Sequence, residues 1–132
     1  MASEPVSVES EGFRVSVTTE YQVVYSRPAD QHFIFAYTVK IENLGETTVK
    51  LMRRHWLIND SVGESYEVEG EGVVGEQPVL EPNDEHIYTS GCGFKSYRGS
   101  MSGTYLMRRL VDEHEFKIRI PEFVMIVPEM FR

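Results

Sequence analysis

At 132 residues the chain has the length of one domain, enough to bury roughly two-thirds of its unfolded surface around a single core. Its 41% hydrophobic and 26% charged content is that of a globular domain, and a net charge of −8 disfavours wholesale binding to a phosphate backbone. A single cysteine, Cys92, excludes an intrachain disulfide and any multi-cysteine metal site.

The opening Met1-Ala2-Ser3-Glu4-Pro5-Val6 has neither the basic nor the apolar region of a secretory signal. No apolar run approaches the roughly 20 residues that cross a bilayer, so a cytoplasmic home with no membrane partner is expected. Residues 1–11 are polar and acidic and read as a flexible segment or a loose edge. From Phe13 the apolar period is two: Phe13, Val15, Val17, Tyr21 and Val23 alternate with Arg14, Ser16, Thr18, Glu20 and Gln22. Ser26-Arg27-Pro28-Ala29-Asp30 is a turn, and Phe33 to Ile41 repeats the alternation up to Asn43-Leu44-Gly45.

Thr47 to Ile58 is the third strand, and its apolar phase slips across Arg53-Arg54-His55, which predicts a bulge there. Ser65 to Glu69 is a short strand, followed by a glycine-rich loop and a turn at Pro82. Glu85 to Thr89 is a strand expected to break at Gly91-Cys92-Gly93, and Ser102–Met107 and Glu115–Ile120 form a final hairpin. No window carries a helical apolar period. Seven to eight short strands without helices predict an all-β, antiparallel sandwich of residues 12–123, with a closed barrel as the alternative. The apolar segment 124–132 either packs onto the body or forms a docking surface between chains, so a homodimer is possible.

Gly70-Glu71-Gly72-Val73-Val74-Gly75 spells the G-x-G-x-x-G string of dinucleotide-binding proteins. That string works when a helix follows and turns its free N–H groups toward a pyrophosphate. Here Pro78 and Pro82 follow, and Glu69, Glu71 and Glu76 would face a polyanion, with no Lys or Arg between His55 and Phe94. The glycines are therefore read as a tight loop, with Gly70, Gly72, Gly75, Glu76 and Gln77 as a candidate binding loop. A backbone nest for a small anion or a carboxylate site for a divalent cation are the ligand-binding alternatives.

His32, His55, His86 and His114 lack the paired spacing of a zinc site. No base accompanies Cys92 in sequence, and no nucleophile elbow surrounds a serine. The chain is expected to be a non-enzyme needing no cofactor. Arg54, Trp56 and Arg98 have the residue types of a recognition patch, although Trp56 would serve equally as core.

Four stretches together resemble the ApaG family: Arg54-His55-Trp56-Leu57-Ile58-Asn59-Asp60, Gly70 to Leu80, Tyr88-Thr89-Ser90-Gly91-Cys92, and Gly99-Ser100-Met101-Ser102-Gly103-Thr104-Tyr105. The likeness runs from about Phe13 to Phe123, with Asn59, Lys95-Ser96-Tyr97-Arg98 and the tail as departures. The resemblance implies an immunoglobulin- or fibronectin-III-like sandwich in a bacterial cytosolic protein. It also implies genetic links to cobalt and magnesium handling and to diadenosine polyphosphate metabolism. Related domains fused into eukaryotic F-box and DNA-polymerase-interacting proteins suggest a recognition module, so the expected partner is another protein and not a nucleic acid. The rival function is a sensor of divalent cations or nucleoside polyphosphates at Gly70–Gln77.

Overall fold

The computed structural model describes residues 2–132. The described residues form nine strands: β1 (Val6–Ser10), β2 (Phe13–Tyr21), β3 (Phe33–Asn43), β4 (Val49–Asp60), β5 (Ser65–Glu71), β6 (Val79–Leu80), β7 (Glu85–Phe94), β8 (Arg98–Arg109) and β9 (Glu115–Ile126). They form two antiparallel sheets, ordered β1-β2-β3-β7 and β5-β4-β8-β9, with β6 paired to the start of β4. This is the expected two-layer sandwich, not a closed barrel. Among the described residues no helix is long and apolar enough to cross a membrane.

The alternating residues of β2 and β3 set the register. Val15 lies opposite Ile41, Val17 opposite Val39 and Tyr21 opposite Phe35, which puts the apolar rows of both strands on the core side. A slip of one position would turn the apolar row of the slipped strand to water, so the alternation excludes every odd shift of this pairing. The second sheet answers with Leu51, Trp56, Ile58, Met101, Tyr105, Met107, Ile118 and Phe123, all buried. Trp56 sits at the centre, edge-on to Tyr37, Tyr105 and Phe123 at centroid distances of 5.4, 6.4 and 5.9 Å.

Four details differ from the sequence expectations. Residues 6–10 are not the flexible segment but the edge that was its alternative: β1 pairs along β2 from Val6 opposite Val17 to Ser10 opposite Phe13. β7 does not stop at Gly91-Cys92-Gly93 but continues to Phe94, with Gly91 and Gly93 opposite Ala36 and Ile34 of β3. Ladder bonds need only the backbone, so glycines on this outer strand leave the pairing intact. The boundary drawn at residue 123 falls inside β9, because Val124 and Met125 pair with Ser100 and Gly99. Beyond it Val127 is buried and the Phe131 ring stacks on Tyr21 at 5.7 Å, so the tail packs onto the body. Finally, the bulge of β4 lies at Met52, between Leu51 and Arg53, slightly before the polar triplet where it was expected.

Candidate functional site

The bulge at Met52 decides what β4 presents. The extra residue moves the core-side positions from Val49 and Leu51 to Trp56, Ile58 and Asp60, with Arg54 on the same side. It also leaves the Met52 carbonyl free for the glycine-rich loop. Gly72 N–H donates to that carbonyl at 3.0 Å and the Gln77 side-chain amide donates to it at 3.0 Å. One position earlier, Leu51 N–H donates to the Pro78 carbonyl at 2.9 Å. Both ends of the loop are thus pinned to one irregularity in β4.

Arg54 supplies a third fastening. Its Nη1 donates to the Glu71 carbonyl at 2.9 Å and the Gly72 carbonyl at 3.1 Å. The guanidinium lies over Gly70, where a Cβ would approach its atoms to between 2.8 and 3.0 Å. Gly72 has φ +62°, and a Cβ there would overlap the Glu76 carbonyl. Only glycine fits this position.

The loop closes on itself in a two-residue turn. Val73 N–H donates to the Glu76 carbonyl at 2.7 Å, and Glu76 N–H returns a bond to the Val73 carbonyl at 3.1 Å. The central residues Val74 and Gly75 have φ of 47° and 79°, the conformation of a type I′ turn, which favours Asn-Gly. Val73 is driven into the core at 1% exposure, while Val74 stands 62% exposed at the tip. A β-branched residue at positive φ is a genuine outlier, and strain of that kind costs about 1–3 kcal/mol. Glu71 and Glu76 flank the tip and are exposed, and Glu76 Oε2 lies 3.8 Å from His86 Nε2 of β7.

The structure therefore brings Gly70, Gly72, Gly75, Glu76, Gln77 and Arg54 together, and it divides the expected Arg54, Trp56 and Arg98 patch. Trp56 is 2% exposed and belongs to the core, because its large ring fills the centre of the sandwich. Arg98 begins β8, whereas Arg54 is opposite Tyr105 far along that strand, a separation on the order of 20 Å. Val74 is the residue that sequence reasoning missed. A valine followed by glycine carries no turn signal, and only the observed φ singles it out.

The remaining signature residues are also structural. Asp60 is buried at the end of β4, accepting from Lys95 N–H at 2.7 Å, from Val62 N–H at 3.4 Å and from the Ser96 hydroxyl, which ties the β7–β8 connection to β4. The Tyr88 and Tyr105 hydroxyls hydrogen-bond to each other in the core, and burial pushes both phenols above their ordinary range. Cys92 Sγ donates toward Met125 Sδ at 3.6 Å, and burial pushes its thiol up to about 12. Such a thiol is protonated near neutral pH and is a poor nucleophile.

Among the described residues no group of three or more His, Cys, Asp or Glu side chains is arranged to hold a metal ion. His55 Nε2 lies 3.6 Å from Glu67 and 3.7 Å from Glu69 on the outer face of β4 and β5. In the loop, the amides of Gly72, Val73 and Glu76 already donate within the protein, which leaves fewer N–H groups for an anion.

A family model described as the ApaG domain, DUF525, matches residues 23–109. Protein ApaG of Nitrosomonas eutropha is 44% identical over 117 residues, covering 89% of this chain and 91% of that protein. Protein ApaG of Paramagnetospirillum magneticum is 48% identical over 114 residues, covering 86% and 87%. The crystal structure of a putative ApaA protein from Bordetella pertussis superposes with a TM-score of 0.84 at 40% identity, covering 88% of this chain and 94% of that one.

Proposed function

The chain belongs to the ApaG domain family, and on that premise we propose that it is a small, non-catalytic recognition module that docks another protein through the tip of its Val73–Gln77 loop. The observation that carries this reading is Val74, held 62% exposed at positive φ on a loop fastened at both ends. A rigid anchor loses little conformational freedom on binding, and backbone strain concentrates where function requires a side chain. Glu71 and Glu76 beside it suit a partner with an apolar pocket and a basic rim.

The raised Cys92, Tyr88 and Tyr105 groups support the non-catalytic part, since none is poised to ionise near neutral pH. The sensor of cations or nucleoside polyphosphates draws less support from a loop that uses its own amides. We place the module in the cytoplasm, and the cobalt and magnesium handling implied by the family resemblance is the setting in which we would seek its partner.

Val74→Asn separates fold from function. Asparagine tolerates the turn conformation, so the variant should melt higher, by about 1 kcal/mol of stability, while losing the anchor. Wild-type and variant protein, each immobilised, would be compared for what they retain from cell extract. A protein held by the wild type and lost by the better-folded variant supports the reading. Identical retention by both would refute it, as would nucleotide turnover by the pure wild type.

A further inference from the structure

The outer strands of the two sheets are guarded unequally. β5 carries Glu67, Glu69 and Glu71, β1 carries Glu9, and β7 starts at Glu85 with Glu76 of the loop close to His86. The N-terminal half of β9 is charged as well, with Lys117, Arg119 and Glu122 exposed, but from Phe123 to Val127 there is no charged residue, and the exposed side chains of that stretch are Val124 at 41% and Ile126 at 49%. Charges on an outer strand discourage pairing with another chain, and their absence invites it.

The backbone there is also open. Val127 N–H donates to the Tyr97 carbonyl at 2.8 Å, so by antiparallel alternation Met125 and Phe123 bond toward β8. The N–H and C=O groups of Val124 and Ile126 then point away from β8. They open onto a trough of about 620 Å³ lined by Tyr21, Val23, Val124, Ile126, Met130 and Phe131, and no charged side chain lines it. Two exposed charges stand beside this strip on the same face, Arg98 on β8 and Glu122 on β9, and neither has an ion-pair partner among the described residues.

We propose that the occupant of this edge is a second copy of the chain, with the two β9 strands antiparallel about a two-fold axis at Met125. In that register Val124 of each copy faces Ile126 of the other, and both can exchange N–H and C=O bonds. The axis is self-complementary, as a closed two-fold interface requires. The outer face gains one continuous cluster of Val124 and Ile126 from both copies. The charges match as well. Arg98 of one copy comes within about 12 Å, Cα to Cα, of Glu122 of the other, a span that extended Arg and Glu side chains cover. The like net charge of the copies opposes association generally, so a contact is expected where charge is absent or paired.

The test is sedimentation equilibrium with amide hydrogen exchange on the pure full chain, from micromolar to millimolar protein. The expected result is a concentration-dependent dimer in which the Val124 and Ile126 amides exchange more slowly as the dimer fills. Ile126→Lys should give a folded monomer. Glu122→Arg should weaken association about fivefold, and adding Arg98→Glu should restore most of it. A monomer at millimolar concentration overturns the proposal, and so does a dimer that survives Ile126→Lys. A dimer indifferent to the charge reversals, or one leaving those two amides as fast as in dilute solution, overturns it too.

Discussion

Truncating Arg54 to alanine removes the fastening that joins β4 to the loop from the side of Gly70. Two charge-assisted bonds disappear, to the Glu71 and Gly72 carbonyls at 2.9 and 3.1 Å. Hydrogen bonds to charged groups contribute about 1.5–3 kcal/mol each when well buried. Arg54 is half-buried and the bond to Glu71 is exposed, so water replaces part of what is lost. A net cost of about 2 kcal/mol is the reasonable magnitude, which raises the open population of the loop roughly thirtyfold. Gln77 and Pro78 still hold the other end, so the loop loosens without detaching.

The amides to watch are those of Gly72 and Val73, which donate to Met52 and Glu76. Their exchange with solvent deuterium should quicken by one to two orders of magnitude, while amides in the middle of β3 change little. Gly70→Ala should mimic the effect by displacing the guanidinium. The double variant should then lose less than the sum of the two, because both changes break the same contact. Unchanged exchange at Gly72 and Val73 in Arg54→Ala would refute the clamp, and strict additivity would refute the role given to Gly70.

Two further expectations concern ionisable groups. Arg109 donates to Asp112 at 2.7 and 3.0 Å and His114 N–H adds a bond at 3.1 Å, and these hold the Asp112 carboxyl down to about 2. A carboxyl depressed by folding stabilises above its unfolded value of about 4 and loses that contribution as pH falls through about 2. The stability gap between wild type and Asp112→Asn, from urea titrations, should be constant above about pH 5 and shrink toward pH 2; a gap independent of pH would count against the pairing. Burial raises the Cys92 thiol to about 12, so iodoacetamide at pH 8 should label native protein slowly and urea-unfolded protein fast. Rapid native labelling would contradict that burial.

The sandwich was legible because alternation in Phe13–Tyr21 and Phe33–Asn43 leaves only one face able to bury, whichever residues the loops contain. The bulge was legible as a change of phase but not at its position. Leu51 and Met52 are both apolar, and Arg53, Arg54 and His55 then offer no apolar marker before Trp56, so the slip could fall anywhere among them. Glycines misled at Gly91 and Gly93, where sequence sees a breaker and the ladder needs only backbone. Trp56 and Arg98 have the right chemistry for a patch, but strand position decides that one is core and the other distant. The glycine string was rightly read as a loop. Its fastenings are invisible in sequence because the acceptors are backbone carbonyls of Met52, Glu71 and Gly72, which sequence does not distinguish.

The claim beneath the proposed function is that this loop is a rigid display surface and not a flexible strap awaiting a ligand. Backbone ¹⁵N relaxation on the free wild-type protein tests it most directly. Order parameters near 0.85 for Val73 to Gln77, matching the strands on either side, are the predicted result. Values below about 0.6 at those residues would mean that the fastenings to Met52 and Arg54 do not hold in solution and that the loop is a flexible strap, not a display surface.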